Sequence, residues 1–406
     1  MAVGLTELPL LRPVAGIRLG TAAAGLRKPG RRDVVVIECA PGTEAAAVFT
    51  RNRFCAAPVQ IARTHLSRGA PRALVINTGF ANAGTGEPGI VDAQATCTAL
   101  ARELGCDAQQ VLPFSTGVIG ERIPIDRLLA ALPAAVRSLS VAGWNDAAHG
   151  IMTTDTVPKG ASRKVSIAGR EVAVTGIAKG AGMIQPNMAT MLAFVATDAA
   201  MSRGVLAACV RAAADASFNR VTVDGDTSTN DACVLLATGQ AGNTMIERAE
   251  GAAYQALCVV VNDVCVELAQ AIVRDGEGAT KFITVEVVDG ASEADCLEVA
   301  YTVANSPLVK TALFASDPNW GRVLAAVGRA RIQRLEIGRV ALWINDVCVV
   351  RDGSLASEYT EAAGKAAMQP SEIHLRIALG AGREHARVWT CDFSHDYVSI
   401  NADYRS

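Results

Sequence analysis

The residues of this sequence best suited to chemistry lie in the stretch KGAGMIQPNMATMLAFVATD at 179–198. A glycine-rich loop ends near Pro186 and runs into Thr190, after which the chain turns apolar. This pattern predicts a loop that leads into a buried strand. A threonine at the start of a strand is usually a β-branched residue suited to a pleated sheet. If the chain is cut before Thr190, however, its hydroxyl becomes a nucleophile and its freed α-amine the general base.

A second polar cluster directly follows the apolar run VLPF at 111–114 and consists of Ser115, Thr116 and Gly117. A glycine at the end of a strand lets backbone N–H groups approach a ligand closely, because it has no side chain. A neighbouring hydroxyl adds a second donor. The same residues also fit an ordinary turn.

Two charged residues stand at predicted loop positions. Lys179 precedes Gly-Ala-Gly, and a cation there would suit a carboxylate; Glu277 follows a predicted helix, and a carboxylate there would suit an ammonium group. Each also fits a solvated loop charge. The segment MTTDTVPK at 152–159 has too little apolar material for a core strand, which favours a polar turn.

The stretch DGDTSTND at 224–231 resembles a calcium loop only superficially. The sixth position of such a loop needs glycine and is Thr229 here, and the twelfth needs glutamate and is Leu235. We therefore expect no calcium site, and we expect a polar loop near the active site whose safer role is turn formation.

Composition limits the classes of function. A chain of 406 residues favours two lobes, with a boundary near 289–300 where the sequence becomes polar. The net charge of −2 argues against nucleic-acid binding. We expect no membrane span, since no run of about 18 apolar residues stands out, and the first residues are too mixed for a secretory signal. A cytoplasmic protein is the expectation.

The 11 cysteines and 5 histidines are scattered through the chain. The cysteines lack CxxC spacing, and no helix-borne histidine pair is present. This usage is typical of reduced, mostly buried thiols, and no metal is expected.

The elements that must position these residues follow from apolar periodicity. It predicts strands at 34–39, 45–50, 73–78, 111–114, 282–288, 340–344, 347–350, 373–379 and 385–391. A turn at Pro41 and Gly42 joins the first two, a hairpin turns at Ala168 and Gly169, and the last two strands form a hairpin around 380–382. Helices are expected at 90–103, 203–217 and 257–272, and from Ser306 onward.

The run KGAGMIQPNMATML resembles the self-cleavage segment of the ornithine acetyltransferases, also called the glutamate N-acetyltransferases of arginine biosynthesis. Six further segments match in the same order, which is far more specific than one motif. They are STGVIG at 115–120, MTTDT at 152–156, DGDTSTND at 224–231, RDGEGATK at 274–281, SDPNWGR at 316–322 and the terminal NADYRS.

The resemblance implies an α+β fold with a four-layer α/β/β/α arrangement. It also implies cleavage between Ala189 and Thr190 into an N-terminal α chain, 1–189, and a C-terminal β chain, 190–406. The two chains are expected to stay associated as an α2β2 heterotetramer.

For the site, the resemblance implies that Thr190 is the nucleophile and that Thr116 and Gly117 form the oxyanion hole. It assigns substrate contacts to Thr153, Lys179, Thr190, Glu277, Asn401 and Ser406. The implied reaction moves the acetyl group of N2-acetylornithine to glutamate through an acetyl-threonine, with no cofactor. The sequence leaves open whether acetyl-CoA is a second donor.

Two other functions fit the same residues. A self-cleaving amidohydrolase or aminopeptidase would use the same threonine but let water resolve the acyl-enzyme. A binding protein would keep the pocket without turnover. Supplying N2-acetylornithine with and without glutamate separates the three, because only transfer requires glutamate and a binding protein releases no ornithine.

Overall fold

Residues 2–185 and 191–403 are described by a computed structural model, and they form two units. The larger unit contains 7–185, 191–219 and 226–272, and the smaller one contains 2–6, 220–225 and 273–403. The main division therefore falls after Ile272. The stretch 289–300, which the sequence indicated as a boundary, lies inside the smaller unit.

The strands of the larger unit form two mixed sheets. One has the order β1-β2-β4-β5 and the other the order β3-β9-β8-β7-β6. The strands are β1 (Ile17–Ala22), β2 (Val34–Cys39), β3 (Glu44–Phe49), β4 (Ala73–Phe80), β5 (Val111–Val118), β6 (Lys159–Ile167), β7 (Arg170–Lys179), β8 (Leu192–Thr197) and β9 (Ala232–Ala237). The turn at Pro41 and Gly42 joins β2 and β3, but these strands belong to different sheets.

The hairpin that the sequence predicted in this unit is confirmed. β6 and β7 pair as a hairpin in which Ile167 faces Arg170, and Ala168 and Gly169 both have positive φ, as a tight hairpin turn requires. The pairs β4/β5 and β8/β9 are parallel, and each needs a helical crossover. The helices of this part of the chain are α1 (Ala57–Arg68), α2 (Gly86–Leu104), α3 (Ile125–Arg137), α4 (Trp144–Gly150), α5 (Arg203–Ala216) and α6 (Ala252–Arg274).

The two sheets pack face to face, which confirms the layered α+β arrangement. Phe114 of β5 and Phe194 of β8 meet edge to face in the core between them, with ring centroids 5.1 Å apart. Alternate residues of β2 point to opposite sides, so that Val35 joins this central core and Val36 packs with α2 and α3. Strands buried on both faces are typically near-continuous apolar runs, as β2, β8 and β9 are.

Helix α6 covers the outer face of the second sheet. A Cβ built on Gly176 of β7 would lie 3.1 Å from both Val264 and Leu268 of α6, so glycine permits this close packing. By length and composition alone α6 is also apolar enough to cross a membrane, with a mean hydropathy of 1.9 over 18 residues, half of them buried. From the sequence we expected no apolar stretch long enough to span a membrane. The apolar stripe that packs on the sheet accounts for much of this hydropathy.

The smaller unit is built on one sheet with the order β13-β12-β11-β14-β10-β15. Its strands are β10 (Phe282–Gly290), β11 (Ala341–Ile344), β12 (Val347–Arg351), β13 (Ser354–Leu355), β14 (Glu372–Ala378) and β15 (Glu384–Cys391). Its helices are α7 (Glu293–Ala304), α8 (Pro307–Phe314), α9 (Trp320–Gly328), α10 (Glu361–Ala367) and α11 (His395–Ala402). Apolar residues of α7, α8 and α9 cover one face of the sheet.

The predicted hairpin of the last two strands is wrong. β10 lies between β14 and β15, parallel to the first and antiparallel to the second. The loop around 380–382 instead wraps over the end of β10, because the amides of Ala381 and Gly382 both donate to the carbonyl of Asp289. The apolar strand β10 is therefore hydrogen-bonded to a neighbouring strand on each side.

Candidate active site

The end of β5 carries Thr116 and Gly117, the two residues expected to form an oxyanion hole. Gly117 has φ of +133° and pairs with Gly79 of the parallel strand β4. A Cβ on Gly117 would lie only 2.2 Å from the carbonyl carbon of Gly79, so any other residue would push the strands apart. Thr116 is buried beside it, with 8% of its surface exposed.

Lys179 is the last residue of β7 and is buried, with 5% of its surface exposed. Its Nζ donates to Oγ1 of Thr116 over 3.2 Å. Two residues that the sequence singled out, from separate segments, are therefore in contact. Lys179 is not a solvated loop charge.

Beneath these residues the carboxylate of Asp155 joins three segments. Its Oδ1 accepts from Nζ of Lys159 at 2.6 Å and from the amide of Gly180 at 2.7 Å, and its Oδ2 accepts from the amide of Thr153 at 2.9 Å. The side chains of Asp155 and Lys159 are fully buried. Burial alone raises the pKa of Asp155, but the nearby charges of Lys159 and Lys179, with these hydrogen bonds, hold it well below its usual range.

Thr153 stands at the edge of an open cleft of about 560 Å³ in the larger unit. The guanidinium of Arg31 donates to the backbone carbonyls of Met152 and Thr153, which fixes the turn that carries Thr153. The other residues that line the cleft are Arg32, Asn145, Asp146, His149 and Asp155. A small polar molecule could enter this cleft and reach Thr153.

The proposed cleavage site, Ala189 and Thr190, lies outside the described residues. The neighbouring Met191 is described, and its amide donates to Oδ1 of Asp231 over 2.9 Å. Asp231 directly precedes β9, which pairs with β8. The chain that leaves Thr190 is therefore anchored by a buried carboxyl.

The smaller unit brings two further predicted residues together. Glu277 lies between α6 and β10 and is 7% exposed, and its Oε2 accepts from Nδ2 of Asn401 on α11 at 2.9 Å. Gly278 has φ of +69°, and its carbonyl accepts from the hydroxyl of Ser394. Ser406 lies outside the described residues. Glu277 is thus a buried residue held against the C-terminal helix rather than a solvated loop charge.

Sequence reasoning did not identify three buried charged residues: Asp155, Lys159 and Asp231. All three stand in short stretches rich in Ser, Thr and Asp, which are typical of turns. A weak signal was the pairing of an aspartate and a lysine within the apolar-poor segment 152–159. Across residues 2–185 and 191–403, no group of three or more His, Cys, Asp or Glu side chains could hold a metal ion.

Comparison with known proteins gives full-length similarities. The model of the ArgJ family matches residues 18–406. Two proteins named arginine biosynthesis bifunctional protein ArgJ, from Pseudomonas syringae pv. tomato and Pseudomonas fluorescens, are each 57% identical over 406 residues, which is all of both chains. The crystal structure of an ArgJ protein from Bacillus halodurans is 35% identical and covers 52% of this chain and 97% of its own, with a TM-score of 0.49.

We expect Gly117→Ala to destabilise the larger unit more than Gly120→Ala does. Both glycines have positive φ, but a Cβ on Gly120 meets nothing within 4 Å. Alanine therefore strains the backbone in both variants, and in Gly117→Ala the clash with Gly79 should add about 1–3 kcal/mol to the loss of stability. Denaturant unfolding of the two variants measures this difference, and equal losses would contradict the close approach of β4 and β5.

We expect Asp155→Asn to lower the free energy of unfolding by about 3–5 kcal/mol, because it leaves the buried ammonium of Lys159 without its counter-charge. The control Glu171→Gln breaks an exposed pair with Lys164 and should cost no more than about 1 kcal/mol.

The loss for Asp155→Asn should also depend on pH. The pKa of Asp155 is lowered in the folded protein, so its stabilising effect is complete above its ordinary pKa of 3.8 and declines as the pH falls below that value. The gap between wild type and variant should therefore narrow in acid. A gap that is constant with pH would show that Asp155 is not an ionised partner of Lys159.

Proposed function

This chain belongs to the ArgJ family and is an acetyltransferase of arginine biosynthesis, and we propose that it carries the acetyl group from N2-acetylornithine to glutamate on the hydroxyl of Thr190. The observation that supports this most is the contact between Lys179 and Thr116. It joins an oxyanion-hole candidate and a substrate-binding candidate in one buried place. Met191, which directly follows Thr190 in the chain and precedes β8, lies in the same unit as these two residues.

The chemistry begins with attack of Oγ of Thr190 on the acetyl carbonyl carbon. The α-amine of Thr190 takes the hydroxyl proton, since a chain-end amine has a pKa close to neutrality and a peptide nitrogen is no base. Thr116 and the backbone N–H of Gly117 stabilise the oxyanion that forms. Such donors typically contribute about 3–4 kcal/mol to the lowering of the barrier.

The tetrahedral intermediate collapses when the bond between the acetyl carbon and the ornithine nitrogen breaks. The amine leaves with the proton that the α-amine of Thr190 had taken. The amine of glutamate then attacks the acetyl-threonine ester and gives a proton to the α-amine of Thr190. That proton passes to Oγ as the bond between the acetyl carbon and Oγ breaks, and N-acetylglutamate leaves. The same acyl group moves from one amine to another, so we expect no cofactor, and acetyl-CoA is a candidate second donor.

Charged and polar residues are assigned to substrate recognition. Lys179 suits the carboxylate that ornithine and glutamate share, and Glu277 suits an ammonium group. Burial strengthens both interactions, because water does not compete with them. Asn401 orients the carboxylate of Glu277 through its hydrogen bond, and Thr153 and Ser406 complete the proposed set of contacts.

Processing precedes this cycle. We propose that the hydroxyl of Thr190 attacks the carbonyl of Ala189, so that the chain splits into 1–189 and 190–406. The two chains would stay associated as an α2β2 heterotetramer in the cytoplasm. Many backbone bonds link the two parts, among them the whole β7/β8 ladder, so cleavage alone would not separate them.

Replacement of the nucleophile tests the proposal directly. Thr190→Ala should remain one chain and show no acetyl transfer, because one hydroxyl performs both steps, whereas Thr190→Ser should retain part of both. Thr98→Ala, which removes an exposed hydroxyl on α2, is the control and should change neither. Intact mass and N-terminal sequencing measure the cleavage, and a cleaved Thr190→Ala protein would contradict self-processing.

Dependence on glutamate separates transfer from hydrolysis. With N2-acetylornithine alone, ornithine release should stop after about one molecule per active site, because the acetyl-threonine accumulates. Added glutamate should restart the release and yield N-acetylglutamate in equal amount. Continuous release without glutamate would instead favour an amidohydrolase.

A further inference from the structure

One loop of the larger unit holds both halves of the proposed reaction centre. Nδ2 of Asn230 donates to the carbonyl of Ser115, next to Thr116, over 2.9 Å and to the carbonyl of Ala81 over 2.6 Å. Asp231, the next residue, accepts from the amide of Met191. Adjacent side chains thus bind the oxyanion strand and the residue that is covalently bonded to Thr190.

Met191 is anchored on both sides of its backbone. Its amide donates to Oδ1 of Asp231, and its carbonyl accepts from the amide of Ala232 over 3.1 Å. Cleavage would turn Thr190 into a chain terminus, and chain termini fray unless something holds them. After cleavage Thr190 would have one covalent neighbour, Met191, so this anchor would limit its motion.

The other oxygen of Asp231 is an unusual feature of a buried loop. Asp231 is 1% exposed, and within the described part of the chain its Oδ2 has no hydrogen-bond partner. Burying a charged carboxylate with one oxygen unsatisfied is costly, and native proteins rarely keep such a group without a reason.

The environment favours the neutral form of this acid. Burial raises the pKa of Asp231 well above its ordinary value, while the amide of Met191 and the charge of Lys179, the ionic group that faces it, lower it by less. A protonated carboxyl can accept the Met191 amide on one oxygen and carry its proton on the other.

We propose that Asp231 is a positioning residue for the nucleophile: it holds the amide of Met191 so that the hydroxyl and freed amine of Thr190 stay aligned with the oxyanion donors of β5. The inference rests on the proposed role of Thr190. It assigns a function in the reaction to the 224–231 loop, for which the sequence indicated turn formation as the safer role.

Two substitutions separate positioning from mere stability. Asp231→Leu keeps the branching at Cγ but has no acceptor, so Thr190 should lose its alignment, with kcat reduced about 10- to 100-fold and KM changed little. Asp231→Asn keeps an acceptor for Met191 and should recover most of kcat. Cleavage between Ala189 and Thr190 should slow in the leucine variant and recover in the asparagine variant.

The control lies at the other end of β8. Oδ1 of Asp198 accepts the amide of Ala173 over 2.8 Å, and burial raises the pKa of this carboxyl also. Asp198→Leu therefore removes the same type of bond, between a carboxyl and a backbone amide, next to the opposite end of β8. It should lower the thermal unfolding temperature without changing kcat. Equal losses of kcat in the two leucine variants would overturn the positioning role.

The pH dependence of stability gives a second readout, which tests the neutral form of Asp231 and does not require Asp231→Leu to fold. A raised pKa in the folded protein means that wild type loses stability as the pH rises above 3.8 toward the folded value, whereas asparagine does not titrate. The unfolding temperature of Asp231→Asn, relative to that of wild type, should therefore increase as the pH rises across this range. A gap that does not change with pH would overturn the neutral-acid form.

The outcome is distinguishable from failure of the proposed function. If Asp231→Leu turns over like wild type while Thr190→Ala is inactive, the positioning role is wrong and the threonine mechanism stands. If Thr190→Ala transfers acetyl groups, the threonine mechanism itself is wrong.

Discussion

The buried ion pair of Asp155 and Lys159 is the interaction on which the site in the larger unit depends. Both side chains are fully buried, and the carboxylate also binds the amides of Thr153 and Gly180. Desolvation of such a pair is costly and is offset only when the geometry is good and the remaining lone pairs are satisfied. Here the donors come from three separate segments, so the carboxylate is satisfied only when the turn, β6 and the loop after β7 are all in place.

Much of the local fold could be predicted from the sequence, because burial on one or both faces leaves a direct trace in apolar spacing. α2 was expected at 90–103, and it begins at Gly86 and ends where Gly105 adopts a left-handed conformation. Strand pairing was harder to predict. β10 separates β14 from β15, and this order depends on contacts between residues about 90 positions apart, as in the pair Ile283 and Ile373, rather than on the loop that joins the strands.

The predicted site residues were those whose types match a known motif, and the residues that support them were missed. Lys179 and Thr116 come together although neither shows its burial in the sequence. Asp155 and Asp231 stand among hydroxyl residues, where an exposed turn is the usual outcome. Their burial comes from tertiary packing, so local periodicity carries no sign of it. Glu277 and Asn401, which lie 124 positions apart, meet for the same reason.

The charges around Thr116 follow a consistent pattern. Lys159 and Lys179 place two ammonium groups near the carboxylate of Asp155, and burial favours the neutral form of Asp231. With Asp231 protonated, this group of side chains carries an excess of one positive charge. An ionised Asp231 would cancel that excess. Positive charge in a buried place stabilises an oxyanion more strongly than it would in water, because little solvent screens it. On the mechanism proposed for Thr190, a protonated Asp231 therefore serves two purposes: it holds Met191, and it adds no negative charge that would oppose the one developing beside Thr116 and Gly117.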